Sequence, residues 1–148
     1  MSSTYSDDVD AIASINAQIP GIAVAYGSTD LPNEMSALPA AMTIVAPGDW
    51  TKFGSDEYVV RVYVQPTSNN TPSLAYQQCL ALIQAFLDAY QALSRVNDRP
   101  LMRYPHGHAK SARGFGTSGF YYTQTWGKVP YYGFEIFLSL GPRTPAVP

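Results

Sequence analysis

Apolar residues recur along this chain in two periods, and each period marks a different kind of element. Over residues 57–65 the period is two. Tyr58, Val60, Val62 and Val64 point one way, and Val59, Arg61, Tyr63 and Gln65 the other, which predicts a strand. Residues 41–46 form a shorter apolar run that stops at Pro47-Gly48, a turn signal. The linker between these runs is too short for a helical crossover, so the two are expected to form an antiparallel hairpin. Residues 120–126 and 131–140 repeat the theme around a turn at 127–130, with Phe134, Ile136, Leu138 and Leu140 on one face of the last strand.

The helical period governs two other stretches. Residues 7–18 place Val9, Ile12, Ala13 and Ile19 at helical spacing, with Ile15 on the flank. Ser6 is the expected N-cap, Asp7, Asp8 and Asp10 suit the positive end of the helix dipole, and Pro20-Gly21 ends the pattern. Thr71-Pro72 opens a longer helix to about residue 94, with Pro72 at the first helical position. Its stripe is Tyr76, Cys79, Leu80, Ile83, Phe86, Leu87 and Tyr90, and Asp88 is its one charged residue. A helix so poor in charge is expected to be covered on more than one side. Residues 21–39 read as a loop with one short turn or strand. Residues 94–118 read as a long basic loop without apolar period, and 141–148 as an extended, proline-rich tail.

Helix, hairpin, long helix, loop and hairpin in that order define an α+β fold. It is expected to hold a mainly antiparallel sheet of about four strands, with the crossover helix and the N-terminal helix on one face. A length of 148 residues suits a single domain, 1–148, with a core that needs no metal or disulfide staple. Lone Cys79 can make neither an internal disulfide nor a zinc cage. No apolar run is long enough to span a membrane, and the first residues do not read as a secretory signal.

Composition bears on partners. Charged residues make up 14% of the chain against about 25% in an ordinary soluble domain, while tyrosines number eleven. Such a surface suits contact with other protein. The net charge of −2 gives no global signal for nucleic acid. It hides an asymmetry. Residues 1–57 hold eight acids against Lys52, a balance of −7, and residues 58–148 hold eight bases against Asp88, Asp98 and Glu135, a balance of +5. If the two segments stay apart in space, the molecule has two electrically different sides; if they interleave, the polarity averages out.

Candidate chemistry is sparse. His106-Gly107-His108 could share a metal on extended backbone, but no third ligand is required by the spacing, and the pair reads as part of a solvated, flexible loop. Cys79 falls in an apolar stripe without a basic neighbour, the setting of an inert thiol. Gly114-Phe115-Gly116-Thr117-Ser118-Gly119 has the spacing of a phosphate loop but leads into a strand instead of a helix. The basic loop offers more. Arg99, Arg103, Lys110 and Arg113 are candidate partner contacts, on a phosphate backbone or on an acidic protein surface. Trp50 and Phe53 are candidate exposed anchors in the first hairpin loop; the alternative is that they fold back onto the core.

The order of elements also resembles a known family. The N-terminal helix, the 41–46 strand ending in Ala-Pro-Gly, Tyr58-Val59-Val60-Arg61-Val62-Tyr63-Val64, the helix from Thr71-Pro72 and the closing Tyr131-Tyr132-Gly133-Phe134-Glu135-Ile136 look like the tail terminator (minor tail or neck) proteins of long-tailed bacteriophages. That resemblance covers roughly residues 5–140 and rests on patterns of elements, not on catalytic signatures. It implies a virion structural protein, assembled in the host cytoplasm, whose hexameric ring caps the tail tube, ends tube polymerisation and meets the head–tail connector (stopper) protein. It implies no catalysis, cofactor, metal or membrane, and DNA that passes through the lumen without specific binding. Alternatives are another head–tail connector or tail-completion subunit, or a small metal-dependent hydrolase using His106 and His108.

Overall fold

In a computed structural model the protein is described over residues 5–45, 56–94, 108–114, 123–127 and 129–140. Its elements are α1 (Tyr5–Asn16), β1 (Val24–Ala25), β2 (Ala40–Val45), β3 (Asp56–Pro66), α2 (Pro72–Ser94), β4 (His108–Gly114), β5 (Thr123–Trp126) and β6 (Val129–Leu140). The fold is α+β. Among the described residues one sheet runs β1-β2-β3-β6-β4, and β5 pairs with the other end of the β6 edge that β4 occupies. Both expected hairpins, β2 with β3 and β5 with β6, are antiparallel, and so are β3 with β6 and β4 with β6. Only β1 with β2 is parallel.

Two strands exceed the expected four. β1 is two residues long, too short to show a period, and forms because Tyr26 N–H reaches Ala41 O at 2.8 Å. β4 lies inside the stretch read as a long loop. His-Ala-Lys-Ser-Ala-Arg-Gly has neither β-branched residues nor clear alternation, and its pairing with β6, not its own propensity, makes it a strand. The register shifts between Ala109 and Ser111, so Lys110 is the extra residue of a bulge.

Both helices pack on one sheet face, α1 over β2 and β1, α2 over β4, β6 and β3. Beneath them Tyr58, Val60, Val62, Val64, Phe134, Ile136 and Leu138 form the main core with Ile12, Ile15, Phe86 and Tyr90. Phe86 meets Phe134 edge to face, with ring centroids 5.9 Å apart. The opposite face is partly covered by residues 26–39. There Tyr26 and Met35 pack with Ala40, Met42, Tyr63 and Tyr131, and Trp126 lies against them. Trp126 Nε1 donates to Pro32 O at 3.0 Å, which fastens this segment to the second hairpin.

Several local expectations shift. Ser6 lies within α1 instead of capping it, since the helix begins at Tyr5, whose ring meets that of Tyr58. Gly21 ends the N-terminal unit with φ +95, and a Cβ there would come 3.1 Å from Leu82. The strict alternation of β3 breaks at a bulge between Tyr63 and Gln65. Gln65 therefore turns toward α2, donating to Gln78 Oε1 and accepting from the Thr71 hydroxyl at 2.7 Å, instead of joining Arg61 and Tyr63. On α2 the buried line is Ala75, Cys79, Leu82, Phe86 and Tyr90, while Tyr76 and Leu80 are 39% and 49% exposed. Among the described residues, one side of this helix is covered.

Phe86→Ala is expected to cost about 3–5 kcal/mol of stability, and Leu80→Ala to stay within about 0.5 kcal/mol. Urea unfolding of the two variants checks this; similar losses at both positions would contradict the assignment of the buried line.

Candidate interaction surfaces

Three surfaces carry the polar and apolar side chains that the two cores leave over. The first is the centre of the sheet on the face away from the helices. Arg61 on β3 and Glu135 on β6 are register partners, and Arg61 Nε donates to Glu135 Oε2 at 2.9 Å. The two side chains are 29% and 6% exposed, so the carboxylate is the buried member. On the far side of β6 the register partner of Glu135 is Arg113 of β4. Period-two alternation alone brings these three positions into one row across three strands. Beside them the Tyr63 phenol is buried; desolvation raises it above its ordinary range, partly opposed by the neighbouring Arg61.

A second surface is the exposed flank of α2. Tyr76 and Leu80 are exposed there, and Ile83 and Leu87 are partly buried against the core; Leu74, also half exposed, lies about 120° around the helix from Leu80. Leu82 faces Gly21, just beyond α1. Leu80 lies about 160° around the helix from Leu82. Its flank, shared with Tyr76, Ile83 and Leu87, therefore faces away from α1, toward the β4 side of the sheet.

The third surface is the β1 edge. Asp10 Oδ1 accepts from Ser28 N–H at 2.8 Å, its Oδ2 accepts from the Ser28 hydroxyl at 3.1 Å, and Asp30 Oδ1 accepts from Gly27 N–H at 2.7 Å. Gly27 is required by this approach, because a Cβ would stand 2.6 Å from Asp10 Oδ1. All these donors are neutral. They orient the two carboxylates without adding a compensating charge.

Of the residues singled out from sequence, Trp50, Phe53, Arg99 and Arg103 lie outside the described residues, as does His106. Lys110 and Arg113 belong to β4, so they are strand positions and not loop contacts. His108 opens the same strand opposite Ser139. Sequence reasoning missed Glu135 and Arg61 as a pair. The signal was available: both stand at outward positions of the two clearest strands.

The described residues present little nucleophilic chemistry. Burial pushes the Cys79 thiol up to about 12. Burial also lifts the Tyr90 phenol well above its usual range, although its hydroxyl donates to Asn16 Oδ1. Among the described residues no group of three or more His, Cys, Asp or Glu converges, and no helix is long and apolar enough to cross a membrane. Comparison with protein-family models, with curated proteins and with solved structures finds no match to this chain.

Two outcomes follow from these environments. Arg61→Met leaves Glu135 buried without its guanidinium and is expected to cost about 2 kcal/mol, held below the about 3–5 kcal/mol of a fully buried pair by the exposure of Arg61. The double variant Arg61→Met/Glu135→Met is expected to cost less than that single one; a double-mutant cycle by urea unfolding decides. Cys79 and Tyr90 hold their protons more tightly in the folded chain than in the unfolded one. Their contribution is complete below the ordinary thiol value of 9.0 and is lost as pH rises toward about 12. Urea midpoints are therefore expected to decline above about pH 9, and a thiol reagent to label Cys79 only after unfolding. Rapid labelling of the native protein at neutral pH would contradict the burial.

Proposed function

We propose that the chain is a structural assembly subunit, a tail terminator of a long-tailed bacteriophage. In this reading it forms a hexameric ring on the end of the tail tube, stops tube growth and presents its other face to the head–tail connector, with DNA passing through the lumen. It needs no catalytic group, cofactor or metal for this task, and its place is the tail or neck of the virion.

The observation that carries the reading is the exposed apolar flank of α2. A helix that leaves Leu74, Tyr76 and Leu80 open, with Asp88 as its one charged residue, presents a surface suited to protein rather than water. The element order supports it further, as does a sheet with helices on one face and a fastened segment on the other. Rigid subunits of this kind suit rings, whose interfaces are heterologous.

The direct test adds purified protein to tail tubes while they polymerise and follows tube length by electron microscopy. The expected result is arrested growth, with ring-shaped density at the tube end. Tubes that lengthen normally and carry no added density would overturn the reading. Binding to the connector but not to the tube would move the chain to a neighbouring ring in the same assembly.

A further inference from the structure

The sheet has an open edge at β1, the outermost strand on its side among the described residues. Val24 N–H donates to Pro39 O at 3.4 Å and Tyr26 N–H donates to Ala41 O at 2.8 Å, so both neighbours of Ala25 turn their amides toward β2. In a parallel ladder the residue between them turns its own N–H and C=O the other way, out of the sheet. Ala25 is half-buried, and these two groups meet no partner among the described residues. Edge strands are commonly guarded by a charge, a proline or a bulge, and Ile22-Ala23-Val24-Ala25-Tyr26 has no charge and no proline. The next outward amide, that of Gly27, is closed by Asp30 Oδ1 at 2.7 Å. Pairing at this edge therefore stops at Ala25, and the strand continues into the exposed carboxylates of Asp10 and Asp30. Residues 5–45 contain no Lys or Arg to answer them.

We infer that β1 receives an extended segment of another protein that carries Lys or Arg. The segment adds a strand to the sheet through Ala25 and sets its cationic side chain against Asp10 and Asp30. Backbone pairing supplies the anchor in this mode of recognition, and side chains beside the edge choose the sequence. Here the edge is short, since β1 is two residues long, so the carboxylates carry much of the choice. Charge complementarity selects the occupant. A basic segment is attracted to this end of the strand, whereas two β1 edges laid together would set these carboxylates against those of the second copy. The contact is separate from the flank of α2 and from closure into a ring.

Peptide binding to the full chain tests it. The probe is a labelled Thr-Val-Lys-Val-Arg-Val peptide, and the control has Glu at both basic positions. Fluorescence anisotropy reads affinity, and hydrogen exchange of the complex reads the place. The basic peptide is expected to bind, less tightly in added salt, and to slow exchange in residues 22–27 but not in α2. The acidic peptide is expected not to bind. Ala25→Pro removes the outward N–H at an edge position where proline is tolerated, and is expected to abolish binding while circular dichroism shows the native fold. Asp10→Asn/Asp30→Asn keeps oxygen acceptors for Gly27 and Ser28 and removes only the charge. It is expected to bind the basic peptide at least about threefold more weakly, with the salt dependence lost.

A basic peptide that fails to bind at millimolar concentration, equal binding of the acidic control, or affinity unchanged in either variant would each overturn the inference. Protection gathered on α2 instead of residues 22–27 would overturn it as well. The terminator reading fails separately, on tube length: tubes that lengthen normally in the presence of a protein that binds this peptide remove that role alone.

Discussion

The antiparallel pairing of β3 with β6 is the constraint from which the rest of the molecule is arranged. These are long strands, and they pair from Asp56 with Leu140 to Pro66 with Tyr131. Every later element finds its place against them. On one face their inward residues supply the floor on which α2 and α1 bury Phe86, Tyr90 and Ile12. On the other, Tyr63 and Tyr131 meet edge to face, and residues 26–39 close over them. The pairing has long sequence separation, so the chain must cross the whole α2 and β4 stretch before it closes. Its register is held by alternation, since a slip of one residue would exchange the apolar and polar faces of both strands. The Arg61–Glu135 pair marks that register at mid-sheet, because a slip would part the buried Glu135 carboxylate from the guanidinium beside it.

How much was legible in the sequence depended on what decides each element. β3 and α2 were plain because local period and burial agree there. Asp56–Pro66 has the period of a strand and Pro72–Ser94 that of a helix, and both hairpins followed from linker length. β4 was not legible, because pairing with β6 decides it and its own residues are small and basic. Gln65 was assigned to the wrong face because a bulge resets alternation without leaving a mark in composition. On α2 the period found an apolar arc wider than the sheet can cover, so Tyr76 and Leu80 were expected inside while Leu82 does the packing. Of the candidate site, Lys110 and Arg113 were expected in a loop, and their place on a strand needed the fold.

That last difference changes the meaning of the charge. In the sequence, an acidic first part and a basic remainder suggested only two unlike sides. The sheet order places the exposed Asp10 and Asp30 beside β1 at one edge, and the positions of Lys110 and Arg113 on β4 at the other edge among the described residues. Tyr76 and Leu80 stay exposed on the flank of α2 turned away from α1.

Hydrogen exchange of the free protein, compared between dilute and concentrated solution, tests this account most directly. Assembly through the exposed flank of α2 predicts added protection of α2 in the concentrated sample, while the amides between β3 and β6 stay unchanged as the slowest in both. A rise in mass with no added protection of α2 would contradict it.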